Sequence, residues 1–148
     1  MSTDEEVTKD LVETLEDGEE GYAKGADKLA ESDTPELAAR FREFSQQRAQ
    51  FSSELRAMAQ NYEDRVVESG SVAAAIHRGW MGLKDALTGS DPKGVLDAAE
   101  QGEDHALKQY DKALKSDISP NLRSVIERQR ADVKMAHDTV RSLRDAHS

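Results

Sequence analysis

The 148-residue chain sets 30 Asp and Glu against 20 Lys and Arg, a net charge of −10, and only 5% of it is aromatic. So acidic a balance argues against nucleic-acid backbones and anionic membranes as partners, because both demand Lys/Arg clusters. With no cysteine there is no disulfide framework, thiol nucleophile or Cys-type zinc site, and no segment nears the roughly 18 consecutive apolar residues of a membrane span.

The start, Met-Ser-Thr-Asp-Glu-Glu, is acidic, unlike a signal peptide, and the expected compartment is the cytoplasm. The length fits one domain over residues 1–148. Thr3 followed by Glu6 reads as a capping box that opens a helix over about 4–31. Its stripe runs Val7, Leu11, Leu15, Gly18, Tyr22, Ala26 and Leu29. Gly18 and Gly25 lie on or beside that stripe. Since glycine weakens a helix interior, either a neighbouring helix comes close there or the segment is a poor helix former. The acidic run Glu16–Glu20 reads as a solvated face.

Ser32-Asp33-Thr34-Pro35 is a break, with Thr34 placed to cap the second helix and Pro35 to begin it. That helix, about 35–62, carries Leu37, Phe41, Phe44, Phe51, Leu55, Met58 and Tyr62. Between Phe44 and Phe51, on the same stripe, stands Arg48. Its stem could line the core while its head reaches water. Alternatively it is buried against an anionic partner.

A charged hinge, YEDRVVESGS, leads into VAAAIHRGWMGLKDAL, where Val72, Ile76, Trp80, Leu83 and Leu87 share a face. This predicts a short crossover helix over about 71–88 whose single tryptophan docks it on the bundle or on a second subunit. His77 reads as a surface residue beside that stripe.

The third helix, about 92–115, shows Leu96, Ala99, Leu107, Tyr110 and Leu114 on one stripe with Glu103 in the middle. A carboxylate pointed at a core needs a cation, a metal, a hydrogen-bond partner or a proton. His105 falls on the far side and reads as solvent-exposed. Ser119-Pro120 then opens a fourth helix, about 120–146, whose face holds Leu122, Ile126, Gln129, Val133, Ala136, Val140 and Leu143. Gln129 is central on that face and His137 nearer its edge. All three prolines stand at helix starts, and no strand-like alternation is present.

Short links make the first and second helices, and the third and fourth, antiparallel neighbours, while the long crossover lets the second and third run the same way. The expected fold is therefore all-α: a four-helix bundle of two antiparallel hairpins joined by a long crossover containing a short helix, the connectivity of ferritin-like bundles. Helices of about 24–28 residues would each be about 36–42 Å long.

The residues then resemble the ferritin superfamily, including bacterioferritin and rubrerythrin. That superfamily places an inward Glu seven residues before an inward Tyr on its first and third helices, and Glu-x-x-His on the second and fourth. Glu103 and Tyr110 reproduce the first pattern; on the first helix Tyr22 is preceded at that spacing by Leu15. The second helix has Arg48 in the ligand stripe, and the fourth has Lys134-Met135-Ala136-His137. A closer resemblance is to a bacterial family of unknown function within that superfamily. It is carried by LVETLEDGEEGY, QRAQFSSEL, HRGWMGLKDALTGSD, GEDHALKQYDKAL and HDTVRSL. It implies the fold and assigns no activity.

Two functional readings follow. In the preferred one the chain is a non-enzymatic ferritin-like bundle, stress-related or partner-binding. A polar core cluster of Arg48, Glu103, Gln129, Tyr22 and Tyr110 replaces the di-iron site. It needs no cofactor and meets a protein partner or a second copy of itself. In the alternative it is a metal-binding di-iron redox protein with an atypical ligand set, Glu103, His137 and Glu100, with Glu19 or Glu16 as first-helix substitutes and iron as cofactor. No Ser-His-Asp cluster or phosphate-binding glycine loop points to another enzyme class.

Overall fold

Apolar residues recurring every three or four positions form helices that each bury one stripe. The computed structural model describes residues 3–32, 34–59, 79–89 and 92–147, and all regular structure among them is helical. In chain order the helices are α1 (Thr3–Glu31), α2 (Pro35–Met58), α3 (Leu83–Thr88), α4 (Pro92–Leu114) and α5 (Pro120–Ala146).

Cross-helix contacts fix their directions. Gly25 lies against Phe41, the Ser45 hydroxyl donates to the Glu19 carbonyl at 2.9 Å, and the Ser52 hydroxyl donates to Glu16 at 2.9 Å, so α1 and α2 run antiparallel. Gly25 also meets Val95, while Val7 and Ala113 line one crevice, so α1 opposes α4 as well. Tyr110 with Gln129, Asp111 with Arg130, Asp104 with His137 and Glu100 with Arg144 set α5 antiparallel to α4.

The helix ends show which local signals govern. The Thr34 hydroxyl makes no cap on α2. It turns back and donates to the Leu29 carbonyl at 2.7 Å, closing α1 instead. Pro35 at the first position of α2 has no N–H to satisfy, which frees Thr34 for that role. At the end of α4, Arg123 donates to the carbonyls of Leu114 at 2.8 Å and Ser116 at 3.0 Å, supplying partners to groups a helix leaves open. The Ser119 N–H donates to Asp4 at 2.9 Å, tying this turn to the start of α1.

Besides the Thr34 cap, four expectations need correcting. α2 ends at Met58, with Ala59 in a turn, so it stops short of Tyr62, which lies outside the described residues. The crossover is not one helix over 71–88: residues 79–82 form a turn and, among the described residues of that span, Leu83–Thr88 is helical. Gly79 has φ +134°, a conformation no helix contains, and that breaks the periodicity Trp80 and Leu83 had suggested. Val72, Ile76 and His77 lie outside the described residues. The run Glu16–Glu20 is not a solvated face, because Asp17 is buried and Glu16 is held by Ser52 and Arg56. The cause is that α1 packs against α2, α3 and α4 together, burying Thr8 and Val12 as well as its main stripe. His105 is half-buried, because the Gly79 turn packs directly on its side chain.

The core divides into two clusters. One gathers Tyr22, Ala26, Leu29, Phe41, Trp80, Leu83, Leu96 and Val140. The other gathers Leu11, Leu15, Phe51, Leu55, Tyr110, Leu122, Ile126 and Val133. On each long helix the boundary falls at one height: Gly18 on α1, Arg48 on α2, Glu103 on α4 and Ala136 on α5.

Candidate functional site

At that boundary Arg48 and Glu103 face each other from α2 and α4 across the middle of the bundle. Both are buried, at 1% and 0% exposure. Arg48 Nη1 donates to Glu103 Oε1 at 2.5 Å and Nη2 donates to Oε2 at 2.6 Å, a two-pronged pair whose planar fork matches the carboxylate. The third guanidinium nitrogen, Nε, donates to the Gln47 side-chain oxygen at 3.2 Å.

Gly18 makes room for this pair. A Cβ there would come within 3.3 Å of the Arg48 side chain, so the guanidinium crosses α1 where α1 has no side chain. The glycine at this stripe position therefore marks a close approach rather than a weak helix. Gly25 does the same for the Phe41 ring.

Burial works against the Arg48 charge, but the Glu103 charge and its hydrogen bonds more than offset this, so the guanidinium is held above its ordinary range. The two tyrosines flank the pair, one in each apolar cluster. Tyr22 lies with its ring 5.4 Å from the guanidinium carbon, boxed by Phe41, Phe44 and Trp80 at ring separations of 5.0, 5.2 and 5.0 Å. Burial first, and the nearby Glu103 charge second, push its hydroxyl well above the usual tyrosine range. Among the described residues that hydroxyl has no hydrogen-bond partner. Its oxygen senses the ion pair without an aligned bond to it.

Tyr110 is the satisfied counterpart. Its hydroxyl donates to Gln129 Oε1 at 2.7 Å, and Gln129 Nε2 donates onward to the Phe51 carbonyl at 3.3 Å and to Glu54 at 2.8 Å. Glu54 in turn pairs with Arg128 on the surface. Burial raises the Tyr110 hydroxyl as well, opposed in part by Arg48.

The candidate metal ligands are dispersed. Glu103 is taken by Arg48. Glu100 pairs with Arg144 and, at 3.5 Å, with Arg141. His137 places Nε2 2.8 Å from Asp104 and Nδ1 3.1 Å from Asp138, so it sits at the α4–α5 seam, not beside Glu103. Glu16 is held by Ser52 and Arg56. Leu15 is buried in the core, and Lys134 is exposed and bonded to Asp138 at 2.7 Å. Among the described residues no three His, Asp or Glu side chains form a group that could hold a metal ion. This does not fit a di-iron centre, because Glu103 at mid-core already has both oxygens on the fixed cation of Arg48.

Sequence reasoning missed Gly21 and Gly102, which flank Trp80 from α1 and α4. A Cβ at either position would come within 3.0 Å of the indole. Each precedes a core polar residue, Tyr22 and Glu103, by one position. The only signal available was glycine inside two otherwise strong helical stripes.

Fold and core together define an all-helical protein with a charged pair sealed between two apolar layers. Residues 5–116 match the profile of a family described as a domain of unknown function, DUF2383, and the chain belongs to that family. α5, which supplies Gln129 and His137, lies beyond the matched residues. No curated protein matches the chain.

Proposed function

We propose that this protein is a non-enzymatic, partner-binding bundle of ferritin-like connectivity, acting in the bacterial cytoplasm. Its core holds an ion pair where a ferritin-type protein holds metal. The observation that carries this reading is the bidentate contact of Arg48 with Glu103, both fully buried. A guanidinium there puts a permanent positive charge at the point where a cation would have to sit. The cluster of Arg48, Glu103, Tyr22, Tyr110 and Gln129 sets helix register rather than chemistry. A buried pair of this kind specifies which helices meet at which height even where it adds little net stability. Function then resides on the surface, in contacts with another protein or a second copy.

The test is metal content and ferrous oxidation. Protein purified from iron-supplemented culture should carry far less than one metal ion per chain and oxidise added ferrous iron no faster than buffer. Stoichiometric iron with rapid oxidation would overturn the reading and return Glu103, His137 and Glu100 to the role of ligands.

A further inference from the structure

Trp80 carries an aromatic ring from the crossover into the core, and it is 2% exposed. Its indole lies in a slot between two helices, walled by Gly21 on α1 and Gly102 on α4. Any side chain at either glycine would collide with the ring, at under 3.0 Å from its carbon atoms. Mid-helix glycine gives up helix stability, and here the sequence does so twice for one ring. The end of the slot is the Tyr22 ring, met edge-on at 5.0 Å and 77°. Aromatic rings favour that geometry.

The turn that delivers the indole is also built for it. Gly79, at φ +134°, packs on His105 with no room for a Cβ and directs the chain into the slot. The next residue after Trp80, Met81, is 73% exposed, and the chain returns to the core with Leu83 at 0%. The ring touches the backbone positions immediately before Tyr22 and Glu103. It therefore packs on the same helix turns that carry Tyr22 and Glu103.

We infer that the Gly21–Gly102 slot is a preformed binding site for a planar aromatic ring, filled in cis by Trp80, and that Trp80 acts as a plug sealing Tyr22 and the Arg48–Glu103 pair from water. Its shape selects flat rings, because the two helix backbones leave a gap one ring thick. Apart from the indole of Trp80 itself, the ligand class is a small indole-like aromatic.

Free indole is the probe. Trp80→Ala should bind indole, seen as a rise of several degrees in the thermal midpoint at saturating indole. The unaltered chain and Trp80→Ala/Gly102→Ala should show no such rise. In folded Trp80→Ala, Tyr22 should ionise at lower pH than in the unaltered protein, read by tyrosinate absorbance, and indole should move that step back up. If Trp80→Ala is unfolded alone, indole added during refolding should restore helix. Indole that shifts all three chains alike, or none, overturns the slot. A folded Trp80→Ala whose Tyr22 stays fully protected overturns the plug, and an unfolded one that indole does not rescue overturns both.

Discussion

The two halves of the core handle the same residue type in opposite ways. Tyr110 and Tyr22 are both fully buried, one on each side of the Arg48–Glu103 pair. In the aliphatic half Tyr110 has a partner built for it, Gln129, which passes the hydrogen bond on to α2. In the aromatic half Tyr22 is held by three rings and the Arg48 guanidinium over its face, and its hydroxyl is left without a bond among the described residues. The difference separates two means of fixing a bundle. One half is specified by directional hydrogen bonds and the other by shape, with glycines cut to fit an indole. The ion pair is the hinge between them.

The largest effect should come from breaking that hinge. Arg48→Met or Glu103→Leu alone leaves a buried charge unpaired and should cost about 3–5 kcal/mol in urea unfolding. The double variant should recover most of the loss, because no charge is then stranded. Small, additive effects would mean the two halves do not depend on the pair.

Next in size is the contrast between the tyrosines. Tyr110→Phe strands the Gln129 oxygen and should cost about 1–3 kcal/mol. Tyr22→Phe removes an unbonded buried hydroxyl and should be neutral within about 0.5 kcal/mol, or slightly stabilising. Equal losses at the two positions would erase the distinction between the halves. Alkaline pH sharpens the same comparison. Both phenols are raised in the native state, so below the ordinary tyrosine value of about 10 folded and unfolded chains alike keep their protons. Above it the unfolded chain sheds protons that the native one retains, and stability falls as pH rises. Unfolding midpoints between about pH 9 and about pH 11 should drop, and each Tyr→Phe change should flatten the slope.

The smallest effect belongs to the surface. Lys134 and Asp138 are bonded at 2.7 Å but about half exposed, so Lys134→Ala should lower the urea midpoint only slightly. Added salt should abolish that cost and leave the Arg48–Glu103 coupling intact.

These contrasts were unequally legible beforehand. Long helices announce themselves through stripes such as Leu11–Leu15–Tyr22 and Ile126–Val133–Val140, because one buried face repeats at every turn. Arg48 and Glu103 stood out as charges on apolar stripes. That they meet depends on the relative height of α2 and α4, which no local pattern states. Trp80 could be seen to dock somewhere, yet its slot could not be foreseen, since a glycine wall carries no side chain to signal what it faces. The pattern predicts too long a crossover helix because the periodicity through Trp80 and Leu83 continues across Gly79, whose backbone does not. The geometry of one helix alone assigns His105 and Asp17 to solvent. Their burial comes from a turn and from neighbours packed on several sides of α1.

The Arg123 clasp over the end of α4 has a consequence in time as well as in structure. It closes a short turn, and contacts such as Asp111 with Arg130 lie only 19 residues apart in sequence. The Arg48–Glu103 contact spans 55 residues. Closing short loops costs less chain entropy, so the α4–α5 hairpin should assemble early and the central pair late. At the rate-limiting step both charges would then still be hydrated. Drying them becomes the final commitment to the native state, and variants at Arg48 or Glu103 would speed unfolding rather than slow folding.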